Sequence, residues 1–82
     1  MRETPKAGEV WEHFKGKPYL IEGVATNANN SGMGGQFFVI YRQLYTPFAL
    51  YCRSLDEFMM KVNEDKYPNA QQKYRFERRF NT

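Results

Sequence analysis

Cysteine and histidine are the scarcest reactive residues in this 82-residue sequence, with one of each, Cys52 and His13. A single cysteine excludes an internal disulfide and any cysteine-based metal cluster. Inside the apolar run that holds it, Cys52 reads as a small core residue, and a chain without a disulfide framework fits a reducing, cytoplasmic setting. A single histidine excludes a His-rich metal site and a two-histidine relay within the chain. Long apolar runs are missing as well. None is longer than Phe37–Tyr41, which falls far short of the ~20 residues that a membrane-spanning helix needs. The opening Met1-Arg2-Glu3-Thr4-Pro5-Lys6 has no apolar stretch of the signal-peptide kind. A soluble protein without membrane association is expected.

Aromatics and positive charge are present in excess. Seven Phe, six Tyr and one Trp make up 17% of the residues. Each buried ring removes roughly 150–250 Å² from water, so a few rings build a core that a short chain otherwise lacks. The formal charge of +3 is unevenly placed: residues 1–70 hold eight Lys/Arg against eight Asp/Glu, and residues 71–82 hold Lys73, Arg75, Arg78 and Arg79 against Glu77 alone. Such a cluster is either an electrostatic footprint for an anionic partner or the solvated face of an edge strand.

Residues 1–7 read as a flexible leader and residues 8–82 as one β domain. Val10–Phe14 alternates as a short strand. Lys15-Gly16-Lys17-Pro18 is turn chemistry, and a second strand runs from Tyr19 to Thr26 with a bend at Gly23. Asn27–Gly35, rich in Asn and Gly, reads as a mobile hairpin loop; it lacks the Lys-Ser/Thr ending of a phosphate-binding loop. Gln36–Tyr45 is the strongest strand and is apolar on both faces, so barrel closure or a second subunit is expected to cover it twice. A fourth strand spans Phe48–Arg53. Ser54-Leu55-Asp56-Glu57 forms a capping box, and Leu55, Phe58, Met59 and Val62 predict an apolar stripe on a two-turn helix. Lys73–Phe80 alternates as a last, edge-lying strand. The expected fold is mainly β: a small, strongly bent antiparallel sheet or an SH3-like barrel with one short helix.

Catalytic patterns are lacking. His13 has no accompanying nucleophile signature, and the carboxylates are scattered, Asp56 and Glu57 belonging to the helix start. The expectation is a binding domain, not an enzyme, and no cofactor is called for. The candidate ligand-binding residues are Tyr41, Arg42, Tyr45, Tyr51 and Arg53, with Trp11 and His13 from the first strand. Arginine offers a planar donor fork for phosphate or carboxylate, and tyrosine a flat face for a base. Arg42 interrupts an apolar face between Ile40 and Leu44, so its guanidinium needs a partner: Glu12, Glu22, or an anion supplied from outside.

The chain resembles a small bacterial and phage domain-of-unknown-function family numbered 1653. The resemblance rests on Trp11-Glu12-His13-Phe14-Lys15-Gly16, Tyr19-Leu20-Ile21-Glu22-Gly23-Val24-Ala25, Val39-Ile40-Tyr41-Arg42-Gln43-Leu44-Tyr45, Leu50-Tyr51-Cys52-Arg53 with Phe58, and Arg75-Phe76. Two departures stand out. Family members often follow the Ala with a His-Ser/Thr-Glu-Thr loop, where this chain has Thr26 and the Asn/Gly loop, and Ser54 takes the place of a Pro after the strand arginine. The resemblance implies a compact β domain and no settled activity. Nucleotide-handling companion domains recur around the family, which implies a small anionic ligand of nucleotide type; in a phage, such a domain would sequester a host nucleotide signal. Two rival expectations stand beside this one. The basic last strand would make a nucleic-acid-binding small barrel, and the doubly apolar strand would make a homodimeric protein-interaction module.

Overall fold

The computed structural model of the chain describes residues 2–28 and 36–80. Most of the Asn/Gly loop, residues 29–35, lies outside the described residues, and its base is closed by the Asn27 N–H donating to the Gln36 carbonyl. The elements are β1 (Val10–His13), β2 (Pro18–Thr26), β3 (Phe37–Gln43), β4 (Leu50–Ser54), α1 (Leu55–Phe58) and β5 (Phe76–Arg79). The strands form one antiparallel sheet in the order β4-β3-β2-β1-β5. β4 and β5 are its two edges. The sheet is therefore open, and of the two expected architectures it is the bent sheet and not the closed barrel.

The bend is strong. β5 lies three strand positions from β3, which in a flat sheet is about 14 Å at the usual inter-strand spacing. Yet the ring centroids of Phe76 on β5 and Tyr41 on β3 are 5.5 Å apart. The sheet curls until side chains from distant strands touch, helped by a register shift between Ile21 and Gly23 on β2. Trp11, Ile21, Val39, Tyr41 and Phe76 fill the concave side, and Phe58 from α1 closes over them. Phe58 and Phe76 stack with centroids 4.0 Å apart and planes 9° from parallel. Truncating a ring at this depth costs roughly 3–5 kcal/mol.

The apolar stripe after β4 is core, as its spacing predicts, but the helix is one turn and not two. The Ser54 hydroxyl accepts from the Glu57 N–H at 3.2 Å, giving the cap its start. Helical bonding then stops because the next segment pairs elsewhere. The Arg75 N–H donates to the Met60 carbonyl, the Val62 N–H to the Lys73 carbonyl, and Lys61 bridges Tyr74. Residues 2–7, expected as a leader, make contacts of their own: Pro5 is buried, and Arg2 lies over the Tyr74 ring and donates to the Met59 and Phe76 carbonyls.

On the convex side, Val10, Leu20, Arg42 and Leu50 form one cross-strand row, and Ile40 and Cys52 another. Cys52 is exposed and not in the core, because it sits on an edge strand and points to this uncovered side.

Candidate functional site

One end of the concave side gathers residues from four distant parts of the chain. β1 ends at His13, and the turn that follows presents Phe14 and Lys15. Gly16 makes this turn possible at φ +93°, a conformation few other residues adopt, with its N–H donating to the His13 carbonyl. The Phe14 N–H donates to the Arg75 carbonyl at 2.9 Å, which ties this corner to the segment entering β5. Asn63 anchors a tight turn: its side-chain oxygen accepts from the Asp65 and Lys66 N–H groups, and its carbonyl accepts from the Tyr67 N–H. Arg53 reaches in from β4.

Together these segments enclose a cleft of about 340 Å³. Lys15, Arg53, Lys66 and Arg75 supply its charge. Phe14, Tyr67 and His13 supply its rings, and Val62 and Asn63 complete the lining. Among the described residues, no Asp or Glu lines it. The Phe14 and Tyr67 rings meet at 4.8 Å, and Lys15 lies over both.

The charge of the cleft shows in His13. Burial, and then Arg53, Lys15 and Arg75, lower its pKa to about 4, so the ring is neutral at pH 7. Its Nδ1 accepts from the Lys15 N–H at 3.1 Å, which leaves the proton on Nε2 as a donor. The arginines divide cleanly. Of the six in the sequence, Arg42 pairs with Glu22, Arg78 with Glu9 and Glu3, and Arg79 with Glu12. Arg2 is spent on carbonyls and rings. Arg53 and Arg75 have no carboxylate partner among the described residues, and both face the cleft.

Of the candidate residues from the sequence, His13 and Arg53 line this cleft. Tyr41 lies directly behind it, its hydroxyl accepting from Arg53 Nε at 3.2 Å. Tyr45 and Tyr51 join Tyr19 in a tyrosine cluster on the same side, with the Tyr19 and Tyr45 hydroxyls hydrogen-bonded. Trp11 is core, its indole N–H donating to Glu9. That carboxylate is pushed up by burial, but the bonds from Trp11 and Lys6 and the charges of Arg78 and Lys6 outweigh this and hold its pKa below the ordinary value.

Arg42 does not join the others. Successive strand residues point to opposite faces, so Tyr41 and Arg42 cannot share a site. Arg42 is on the convex side, bonded to Glu22 at 3.2 Å and to the Phe48 carbonyl. Nor is its charge buried: the Arg42 and Glu22 side chains are 42% and 40% exposed. The sequence reading missed Phe14, Lys15, Lys66, Tyr67 and Arg75. For Arg75 a signal existed in the excess charge of residues 71–82; for Lys15 it lay in the aromatic-Lys-Gly turn.

Among the described residues, no three of His, Cys, Asp and Glu come together as a metal site requires, and no helix is long and apolar enough to cross a membrane. The fold and cleft define a small, curled, open-sheet β domain with a cationic, aromatic-walled corner. The chain belongs to the family described as protein of unknown function (DUF1653), whose model matches residues 9–81. No curated protein and no solved structure matches it.

Proposed function

We propose that the chain is a non-catalytic binding domain for a small anionic ligand of nucleotide type, held in the cleft between Arg53 and Arg75. One observation carries this reading. Three of the arginines are paired with carboxylates and Arg2 is spent on carbonyls and rings. The remaining two, Arg53 and Arg75, have no carboxylate partner among the described residues and converge on one concave, ring-walled space that also holds two lysines. Guanidinium forks suit phosphate or carboxylate oxygens, and cations held together without a counter-charge gain most from an anion. His13 adds an uncharged N–H donor. The nucleic-acid reading has less behind it, because Arg78 and Arg79 of the basic strand are already engaged by Glu9 and Glu12.

Isothermal titration with inorganic phosphate, pyrophosphate and a panel of nucleoside mono- and diphosphates tests the proposal. Binding that is lost in Arg53→Ala and Arg75→Ala and kept in Arg42→Ala supports it. An anion panel with no binder at millimolar concentration sinks it.

A second copy of the chain is proposed as a partner. The observation favouring it is the free edge of β4, where Leu50, Tyr51 and Cys52 are all exposed.

A further inference from the structure

The Phe14–Tyr67 pair is a partition with space on both sides. Beyond it, away from Arg53 and Arg75, lies a second groove of about 350 Å³. The two spaces share Phe14, Lys15, Lys66 and Tyr67. What differs is the remainder of each lining. The first space adds His13, Val62, Asn63 and the two arginines that have no carboxylate partner among the described residues, whereas the second adds Pro68, Asn69 and Ala70 and no further charge. Positive charge is therefore densest at one end, and at the other only the two shared lysines stand beside an uncharged, partly apolar surface of Pro68, Asn69 and Ala70.

The far groove is also held in shape. The Ala70 N–H donates to the Tyr67 carbonyl and the Tyr67 N–H to the Asn63 carbonyl, so the turn that carries Pro68 and Asn69 is fixed by its own backbone. Lys15 and Lys66 stand 5.4 and 5.5 Å from the Tyr67 ring centroid, at the boundary between the two spaces. Each space alone is at the small end of ligand pockets, which run ~300–1,000 Å³. A bare phosphate on Arg53 and Arg75 leaves the surface of Pro68, Asn69 and Ala70 uncovered.

We infer that the ligand spans both spaces, with its phosphates on Arg53 and Arg75 and an uncharged planar ring laid along Tyr67 and Pro68 within reach of the Asn69 amide. This deepens the proposed function and rests on it. The ligand class is then a nucleoside phosphate and not a simple polyanion. Ring contact with Tyr67 and Pro68 tolerates any base, because every base has an apolar face. The Asn69 amide, with a donor and an acceptor, is the group placed to discriminate among ring edges.

Two substitutions isolate the far groove. Asn69 is exposed, so Asn69→Ala removes the amide and Asn69→Trp fills the groove, with no expected change in the melting temperature. Titration of wild type with pyrophosphate and with the four common nucleoside 5′-diphosphates is expected to show the best diphosphate binding tenfold or more tighter than pyrophosphate. Asn69→Trp is expected to bring that diphosphate down to the level of pyrophosphate while leaving pyrophosphate itself unchanged. Asn69→Ala is expected to reduce the difference between bases. If pyrophosphate binds as tightly as every nucleoside diphosphate, the ring site is overturned and the anion cleft stands. If neither pyrophosphate nor any diphosphate binds, the proposed function itself fails and the ring site with it.

Discussion

Arg53 Nε donates to the hydroxyl of Tyr41 at 3.2 Å, across the β3–β4 ladder. Tyr41 is buried, and this bond is the partner its hydroxyl has among the described residues. Arg53 thus has two attachments: one end is held by the core, and the rest of the guanidinium is left to the cleft. Arg53→Ala is expected to weaken anion binding at least tenfold. It should also cost about 1–3 kcal/mol of stability, because a buried hydroxyl loses its partner. Arg53→Ala with Tyr41→Phe removes both halves of the bond and is expected to recover most of that stability without recovering binding. Recovery of binding in the double variant would show that Arg53 acts only through the fold.

His13 should make the domain acid-sensitive in a defined window. With its folded pKa lowered to about 4, the native ring stays neutral where an unfolded chain, near pKa ~6.5, takes up a proton. Stability is therefore full above about pH 6.5 and falls as the pH drops toward 4, by about 1–2 kcal/mol after allowance for solvent around a half-buried ring. Ligand affinity should move the other way. An anion beside His13 favours the imidazolium, so binding of sulfate, whose charge is constant over this range, should tighten as stability declines. Melting curves and sulfate titrations between pH 4 and 7, on wild type and His13→Gln, check both slopes. An Arg53/Arg75 cleft in which His13 takes no part would give the same sulfate slope in both proteins.

The strands were legible because alternation and turn residues agree along most of the chain, as at Lys15-Gly16-Lys17-Pro18 between β1 and β2. The helix length was not. Nothing local announces that Met60 and Val62 give their backbone groups to Arg75 and Lys73, which is a long-range pairing with the segment that enters β5. The cleft was half legible for the same reason. His13 and Arg53 stand out as polar residues in strands. Their neighbours Lys66, Tyr67 and Arg75 come from loops, and only the placement of β5 beside β1 brings them together. Arg42 misled because it is adjacent to Tyr41 in sequence, which in a strand means opposite in space.

Arg42→Ala is expected to be mild. A half-exposed ion pair such as Arg42–Glu22 contributes about 0–1 kcal/mol. The bond to the Phe48 carbonyl adds a little, since Phe48 sits at φ +58°, where few non-glycine residues rest. Chemical denaturation should return a loss near 1 kcal/mol, and anion affinity should be unchanged. A loss of several kcal/mol would restore the idea of Arg42 as a buried structural charge.

The two sheet edges are not equally protected, and this sets the last prediction. β5 carries Glu77, Arg78 and Arg79, charges of the kind that keep an edge from pairing with another chain. β4 offers Leu50, Tyr51 and Cys52 before its first charge at Arg53. Leu50 is 52% and Tyr51 43% exposed, apolar surface that a paired strand would cover. Two copies of β4 running antiparallel would satisfy both rows of backbone groups and make the same contacts in each copy, the usual geometry of a two-fold dimer. Light scattering on the wild type should therefore approach twice the 9.8 kDa of one chain as concentration rises. Leu50→Lys places a charge on the edge and should return the mass to 9.8 kDa. Because Leu50 is largely exposed, that change should leave the monomer's melting temperature nearly where it was. A wild type that stays at the mass of one chain at high concentration would leave β4 a bare edge and remove the second copy as a partner.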